Sequence, residues 1–182
     1  MSRAIEVAAA KVKTRLGPVW VVATEAGIRE VHFGAAGRPS VRALKRGGMR
    51  LVWKRRWTDP VRRLLERYFE GRPVAFEVPL DLTRGTPFER RVWEATRRVP
   101  YGGTATYGAI ASRIGSPRAA RAVGNALGHN PAPILIPCHR VILESRGLGG
   151  FSGGPGWKRF LVELERGQLT MPLRGRPGRG RA

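Results

Sequence analysis

Apolar positions cluster first in two short runs, Val19-Trp20-Val21-Val22 and Ile28 through Phe33. Both are rich in β-branched and aromatic side chains, which predicts strands, and Glu25-Ala26-Gly27 between them predicts a tight hairpin connection. Residues 1–34 thus read as β structure. Gly34, Gly37, Pro39, Gly47 and Gly48 then interrupt the pattern, and Leu51-Val52-Trp53 predicts one further short strand. From Asp59 the spacing turns helical: Val61, Leu64, Leu65, Tyr68 and Phe69 fall on one face, and Arg62, Arg63 and Arg67 mostly elsewhere. Asp59 is suited to cap this helix, Pro60 to its first position and Gly71 to its end. Residues 72–85 carry Pro73, Pro79 and Gly85 and read as extended. The boundary between an N-terminal domain (1–85) and a C-terminal domain (86–170) falls there.

In the second half, Thr86-Pro87 opens a helix whose apolar stripe is Phe88, Val92, Trp93 and Thr96, closed by Pro100-Tyr101-Gly102-Gly103. A short helix spans about Tyr107 to Ile114. After the turn Gly115-Ser116-Pro117 another runs from Pro117 to Leu127, with Ser116 as its cap and Gly128 as its stop. Two short helices around a glycine-containing turn form a helix-turn-helix pattern. The second is built almost wholly of small side chains around Arg118 and Arg121. Ala120 and Gly124 let its backbone approach a narrow groove, and Arg121 has the reach to enter a base stack. Close helix packing in a core is the competing use of so many small residues. Pro155 to Glu165 reads as a last helix, with Trp157, Phe160, Leu161 and Leu164 facing a core. The fold class expected is α+β: a small sheet-and-helix domain followed by a mostly helical, winged-helix-type domain. Residues 171–182, rich in Arg, Gly and Pro, read as a disordered basic tail.

Charge changes the picture more than composition does. The 182 residues hold 34 Lys and Arg against 13 Asp and Glu, a net charge of +21. Such an imbalance points to a polyanionic partner, most commonly nucleic acid. The excess runs through the whole chain, so it does not locate a site. One cysteine excludes an intrachain disulfide and a multi-cysteine zinc site, and His32, His129 and His139 lie far apart, so no metal is expected. No apolar stretch approaches the ~20 residues of a membrane span and no leader is legible, which predicts an intracellular, cytoplasmic protein without membrane association, nuclear if the source is eukaryotic.

The informative cysteine lies in Asn130-Pro131-Ala132-Pro133-Ile134-Leu135-Ile136-Pro137-Cys138-His139-Arg140-Val141. A lone cysteine is usually an inert small hydrophobe. Here a base follows it directly, apolar residues shelter it and prolines stiffen its approach. The thiolate is the nucleophile, and a neighbouring histidine is able to generate it. Adjacent strand residues point to opposite faces, so a bridging water is an alternative path for the proton. Arg140 has two open readings, a solvent-facing cation or a structural partner for an acid.

The segment Pro137-Cys138-His139-Arg140-Val141 resembles the active-site signature of the O6-alkylguanine-DNA alkyltransferases. The likeness runs in order from about Thr86 to Gly167, through GTPFERRVWEATRRVPYGGTATYGAIASRIG, SPRAARAVGNALGHNPAPILIPCHRV and the GGFSGG region, to Glu165. It is weaker over the first 85 residues. The resemblance implies that Cys138 accepts an alkyl group, irreversibly and once per molecule, from O6-alkylguanine in double-stranded DNA. His139 would activate it through a water, with Glu165 as third member of the relay. Asn130 would order the turn around the segment. Tyr107 would donate to the guanine ring, and Arg121 would fill the gap left by the extruded nucleotide. Ser116, Ala120, Gly124 and Tyr107 would meet the DNA. Val141, Phe151 and Ser152 would bind the flipped base, and Pro133 would wall the alkyl pocket. No cofactor is implied, and a monomer is expected.

Two departures stand out. Phe151 occupies a place where some relatives have Tyr, and the N-terminal zinc-binding cysteines of some members are absent. The alternative in the same fold is a protein that binds alkylated bases without transfer. That group carries Trp in place of the cysteine, which this chain keeps. A thiol hydrolase built on Cys138, His139 and Glu165 is a third class, against which the Arg121 helix argues. Acceptance of O4-alkylthymine is left open.

Overall fold

The computed structural model describes residues 4–145 and 148–168; the predicted basic tail lies outside them. Three antiparallel-paired strands open the chain: β1 (Ile5–Thr14), β2 (Gly17–Thr24) and β3 (Gly27–Phe33). Gly27 has a φ of 139°, and a Cβ there would sit 2.4 Å from the Pro79 carbonyl oxygen. The predicted hairpin therefore needs glycine for both its backbone conformation and its neighbour. A short helix, α1 (Val41–Arg46), leads into β4 (Met49–Leu51), which pairs parallel to β1 and completes the order β3-β2-β1-β4. Side chains alternate across a sheet. Val12, Val19, Val21 and Ala23 accordingly join the main core, while Val7 and Val22 meet Leu44 and Met49 on the other face.

Helix α2 (Arg55–Phe69) packs on the sheet, burying Thr58, Val61, Leu65, Tyr68 and Phe69. Two expectations need correction here. The helix starts at Arg55, not Pro60, so Pro60 sits inside it and Asp59 pairs with Arg62 at 3.3 Å instead of capping. Proline in the interior removes one i−4 hydrogen bond; burial of the α2 face against the sheet offsets that loss, as tertiary packing commonly does. Leu64 is only half-buried. Gly71, with φ 79°, follows the end of the helix as expected.

In the second half, α3 (Pro87–Arg97) begins with a full capping box between Thr86 and Glu89. β5 (Ala105–Thr106) leads into α4 (Tyr107–Arg113), capped by Thr106. The helix after the turn, α5, is shorter than predicted: it spans Ala120–Gly128, with Ala119 at its N-cap and no side-chain cap bond. Ser116 closes the preceding turn through its carbonyl, which accepts the Ala119 N–H at 2.9 Å. β6 (Val141–Ile142) pairs parallel with β5, and α6 (Pro155–Glu165) ends the described fold. The architecture is α+β, a sheet domain followed by a helical one. No helix among the described residues is long and apolar enough to cross a membrane.

One apolar cluster runs from Val12 and Leu65 through Val92, Ile110 and Ile136 to Leu161 and Leu164, so both halves share a core. The edge of β3 ties them further. Ile28 N–H donates to the Pro79 carbonyl and Val31 N–H to that of Pro131, each at 2.8 Å. A buried Arg29–Asp81 pair at 2.5 Å secures the connecting segment.

Candidate active site

The cysteine segment is held by one amide. Asn130 Oδ1 accepts the Ala132 N–H at 3.0 Å, while Nδ2 donates to the Ile136 carbonyl at 2.9 Å and to Cys138 Sγ at 3.0 Å. The turn between them includes Ile134 at φ 78°, the one described non-glycine residue with positive φ. A β-branched side chain is an outlier there and costs of order 1–3 kcal/mol. The bonds from Asn130 and the burial of Ile134 and Ile136 hold the loop in that shape.

Cys138-His139-Arg140 forms a single 3₁₀ turn, not a strand. Its three side chains are all buried and take different partners. Cys138 lies on a cavity of about 420 Å³, lined also by Tyr107, Gly124, Leu127, Gly128, Gly150, Phe151 and Ser152. His139 Nε2 lies 2.7 Å from Glu165 Oε1. Arg140 donates from Nε and Nη2 to both oxygens of Glu165 at 3.0 Å, and from Nη1 to the Val99 carbonyl at 2.6 Å. Of the two readings of Arg140, the structural partner of an acid is the one observed.

Glu165 is the hub of this network. Besides His139 and Arg140 it accepts the Tyr68 hydroxyl at 2.6 Å and the Gly102 N–H at 3.0 Å. Burial pushes its carboxyl up, but the hydrogen bonds from His139 and Arg140, with the Arg140 charge, outweigh that and hold it down at about 2. Burial lowers the His139 pKa, a trend only partly opposed by Glu165. The histidine is therefore neutral. A carboxylate only accepts, so Nε2 carries the proton and Nδ1 presents the lone pair. Nδ1 is buried and has no protein partner. Burial also pushes the Cys138 thiol up to about 11, against the opposing pull of Asn130 and Lys158. Lys158 is itself fully buried, with Nζ donating to the Val141 carbonyl at 2.8 Å.

The groups foreseen from the sequence divide in two. Cys138, Tyr107, Gly124, Phe151 and Ser152 meet around one cavity, and Asn130, His139 and Glu165 support it from behind. Pro133 and Val141 are buried but do not line that cavity; Val141 pairs with Ala105 in the β5–β6 ladder. Arg121 is exposed on α5, one turn before Gly124, with Ala120 and Ser116 half-buried nearby. Sequence reasoning missed Tyr68 and Lys158. Nothing local marks Tyr68, which reads as one more core position of α2. A lysine inside the apolar stripe of α6 is the signal that Lys158 offered. Among the described residues no three His, Cys, Asp or Glu side chains gather as a metal site.

These ionisations make the fold acid-sensitive. Glu165 has a depressed pKa, so its contribution is full above about pH 4.5 and is lost as the pH falls toward 2. His139 adds to this: below about 6.5 the unfolded chain takes up a proton that the folded protein refuses. Tm is expected to be flat between about pH 7 and 8 and to fall continuously from pH 6.5 to 3. A thermal-melt series in buffers of equal ionic strength checks this, and a flat profile down to pH 4 would contradict it.

Comparison with known proteins bears on both halves. The family model for the 6-O-methylguanine DNA methyltransferase ribonuclease-like domain matches residues 7–82, and that for the DNA binding domain of the same family matches 87–167. A Mycobacterium bovis methylated-DNA–protein-cysteine methyltransferase is 55% identical over 109 residues, which cover 60% of this chain and 66% of the relative, just under two thirds of its length. A Methanosarcina acetivorans protein of the same name is 37% identical over 156 residues, covering 82% of this chain and 92% of the relative. The crystal structure of Mycobacterium tuberculosis OGT in complex with DNA superposes with a TM-score of 0.75 at 36% identity, covering 90% of this chain and 94% of that one. With each half matched by its own domain model and the order of the two preserved, the chain belongs to the O6-methylguanine DNA methyltransferase family.

Proposed function

We propose that this protein repairs DNA by direct reversal, moving a methyl or larger alkyl group from O6 of guanine onto Cys138, once per molecule. The observation that carries the reading is Cys138 on a cavity bordered by Tyr107 and by Gly124 of α5, with a neutral histidine and an anionic glutamate behind it. The family and a DNA-bound relative support DNA as the partner.

In the resting protein the thiol is protonated, since its pKa is near 11. The proton leaves as the substrate arrives. Nδ1 of His139 is the base, reached through a water, and Glu165 stabilises the imidazolium that forms. Asn130 Nδ2 and the nearby Lys158 charge stabilise the sulfur anion. An O6-alkyl carbon is out of reach within a stacked duplex, so the base must first turn outward. Arg121 fills the space it leaves, and the small residues Ala120 and Gly124 let α5 approach a minor groove about 6 Å wide. Phe151 and Ser152 line the cavity that receives the base, with Pro133 and Val141 supporting it from the interior. The Sγ–C bond forms as the C–O6 bond breaks. The guanine takes up one proton, equal to the one the thiol lost, so no cofactor is consumed. Tyr107, whose pKa is raised by burial and by Cys138, stays a phenol and donates to the departing ring. The thioether is stable, which limits the protein to one turnover.

The test is mass spectrometry of the intact protein after incubation with a duplex containing O6-methylguanine. One methyl group per chain, mapped to the Cys138 peptide, is the expected result; an unchanged mass overturns the reading and favours a binder without transfer. Arg121→Ala is expected to slow repair of duplex DNA roughly tenfold or more, since unstacking costs a few kcal/mol, while reaction with the free alkylguanine base stays within about twofold. Equal losses on the two substrates would remove the extrusion role.

A further inference from the structure

The stretch between β3 and the middle of α2 takes no part in this chemistry, yet it is the most one-sided in charge. Between Glu30 and Asp59 there is no Asp or Glu and there are eight Lys and Arg. Near its end stands Trp53, 92% exposed, the most exposed of the large hydrophobic side chains among the described residues. A tryptophan left in water beside cations has no folding role that accounts for it.

Trp53 belongs to a groove of about 260 Å³ between β1 and the start of α2. Its floor is Ala8, Ala9 and Ala10, small enough to leave the groove open, and its walls carry Lys11, Lys54, Arg55 and Arg62. Not all of these cations are free. Lys54 donates to Glu6 at 2.7 Å, and Arg62 pairs with Asp59 and with Glu66. Arg55 has no ion-pair partner among the described residues; Lys11 has none either, and its Nζ lies over the Trp20 ring, 5.6 Å from the centroid. Asp59 is the only acid on the lining, and Arg62 neutralises it. The backbone is well fixed: Val52 N–H donates to the Val7 carbonyl at 2.8 Å, so Trp53 projects from the paired edge of the sheet.

An aromatic ring presented to solvent in a groove lined by cations, two of them without an ion-pair partner, is a combination that binds single strands. Bases stack on the ring and phosphates take the cations. We propose that this groove is a second nucleic-acid site, one that takes single-stranded DNA by stacking a base on Trp53 and holding the flanking phosphates on Arg55 and Lys11. It stands apart from the transfer site. Arg55 and Tyr68 are thirteen residues apart on one helix, about 20 Å at ~1.5 Å per residue, and Tyr68 is the residue that touches Glu165. The inference does not depend on alkyl transfer. A membrane surface also attracts basic residues and tryptophan, but binding there rests on a broad apolar face. Here Trp53 is flanked by Lys54, Arg55 and Arg56.

The experiment uses the whole chain and a fluorescent, lesion-free oligothymidylate, with affinity read by anisotropy over a salt series. Trp53→Ala is expected to weaken binding roughly 5- to 150-fold, the range for loss of one stacked base, and Trp53→Phe to keep most of the affinity. Arg55→Ala is expected to reduce the slope of log affinity against log salt by about 0.7, one phosphate contact on a single strand. The melting temperature and far-UV circular dichroism of each variant, which need neither DNA nor alkyl transfer, report that the fold is intact. Unchanged oligonucleotide affinity in Trp53→Ala overturns the proposal. So does an equal loss in Trp53→Phe, or a loss confined to vesicles containing phosphatidylserine in a parallel sedimentation assay.

Discussion

Cys138→Ala is expected to take up no alkyl group from methylated DNA and still to bind it, within about twofold of the parent protein. The sulfur is the only atom able to form the new bond, so the effect on transfer is complete. Binding should survive because Cys138 is 5% exposed and makes no part of the α5 surface. The substitution removes one buried sulfur and the acceptor of one Asn130 hydrogen bond, while Asn130 keeps Ile136 and Ala132. A stability loss of about 1–2 kcal/mol is the expected side effect. Intact mass and anisotropy on the same duplex measure both quantities. Label on the alanine protein would mean that another residue is the acceptor.

Glu165→Ala has the second large effect, and it acts on fold and chemistry together. Four donors converge on that carboxylate: His139, Arg140, the Tyr68 hydroxyl and the Gly102 N–H. Removing it leaves a buried guanidinium without its counter-charge, a defect that costs about 3–5 kcal/mol. For a chain of this size that lowers Tm by roughly 10 °C. The transfer rate should fall about 100-fold, the lower range for loss of acid–base assistance, because nothing then fixes the His139 tautomer. Glu165→Gln separates the two roles: it keeps an acceptor and much of the packing but not the charge, so the rate should fall further than Tm does. A Glu165→Ala protein with unaltered melting and unaltered rate would dismiss the hub.

What the sequence disclosed followed local rules. α3 was legible because Thr86, Pro87 and Glu89 satisfy its first turn among themselves, and α6 because its apolar residues keep helical spacing. The start of α2 was not legible. Pro60 suggests a first position, and only contact with the sheet carries the helix back to Arg55. Ser116 likewise looked like a cap yet serves a turn. β1 was hidden as a separate strand because Ala8-Ala9-Ala10 has little strand preference. In the site, Cys138 and His139 announce themselves by adjacency. Tyr68 meets Glu165 across 97 positions of chain, and no local pattern encodes such a meeting.

That same hydroxyl bears on how relatives of this protein exchange parts. A gene fragment encoding residues 86–168 alone would specify the cysteine, its histidine and the glutamate, but would omit a donor to the glutamate and expose the surfaces that Leu65, Tyr68 and Phe69 now cover. Viable recombination between family members therefore has to carry α2 and α6 over together. The front half of the molecule thus supplies one of the bonds that hold Glu165 and is not interchangeable packaging.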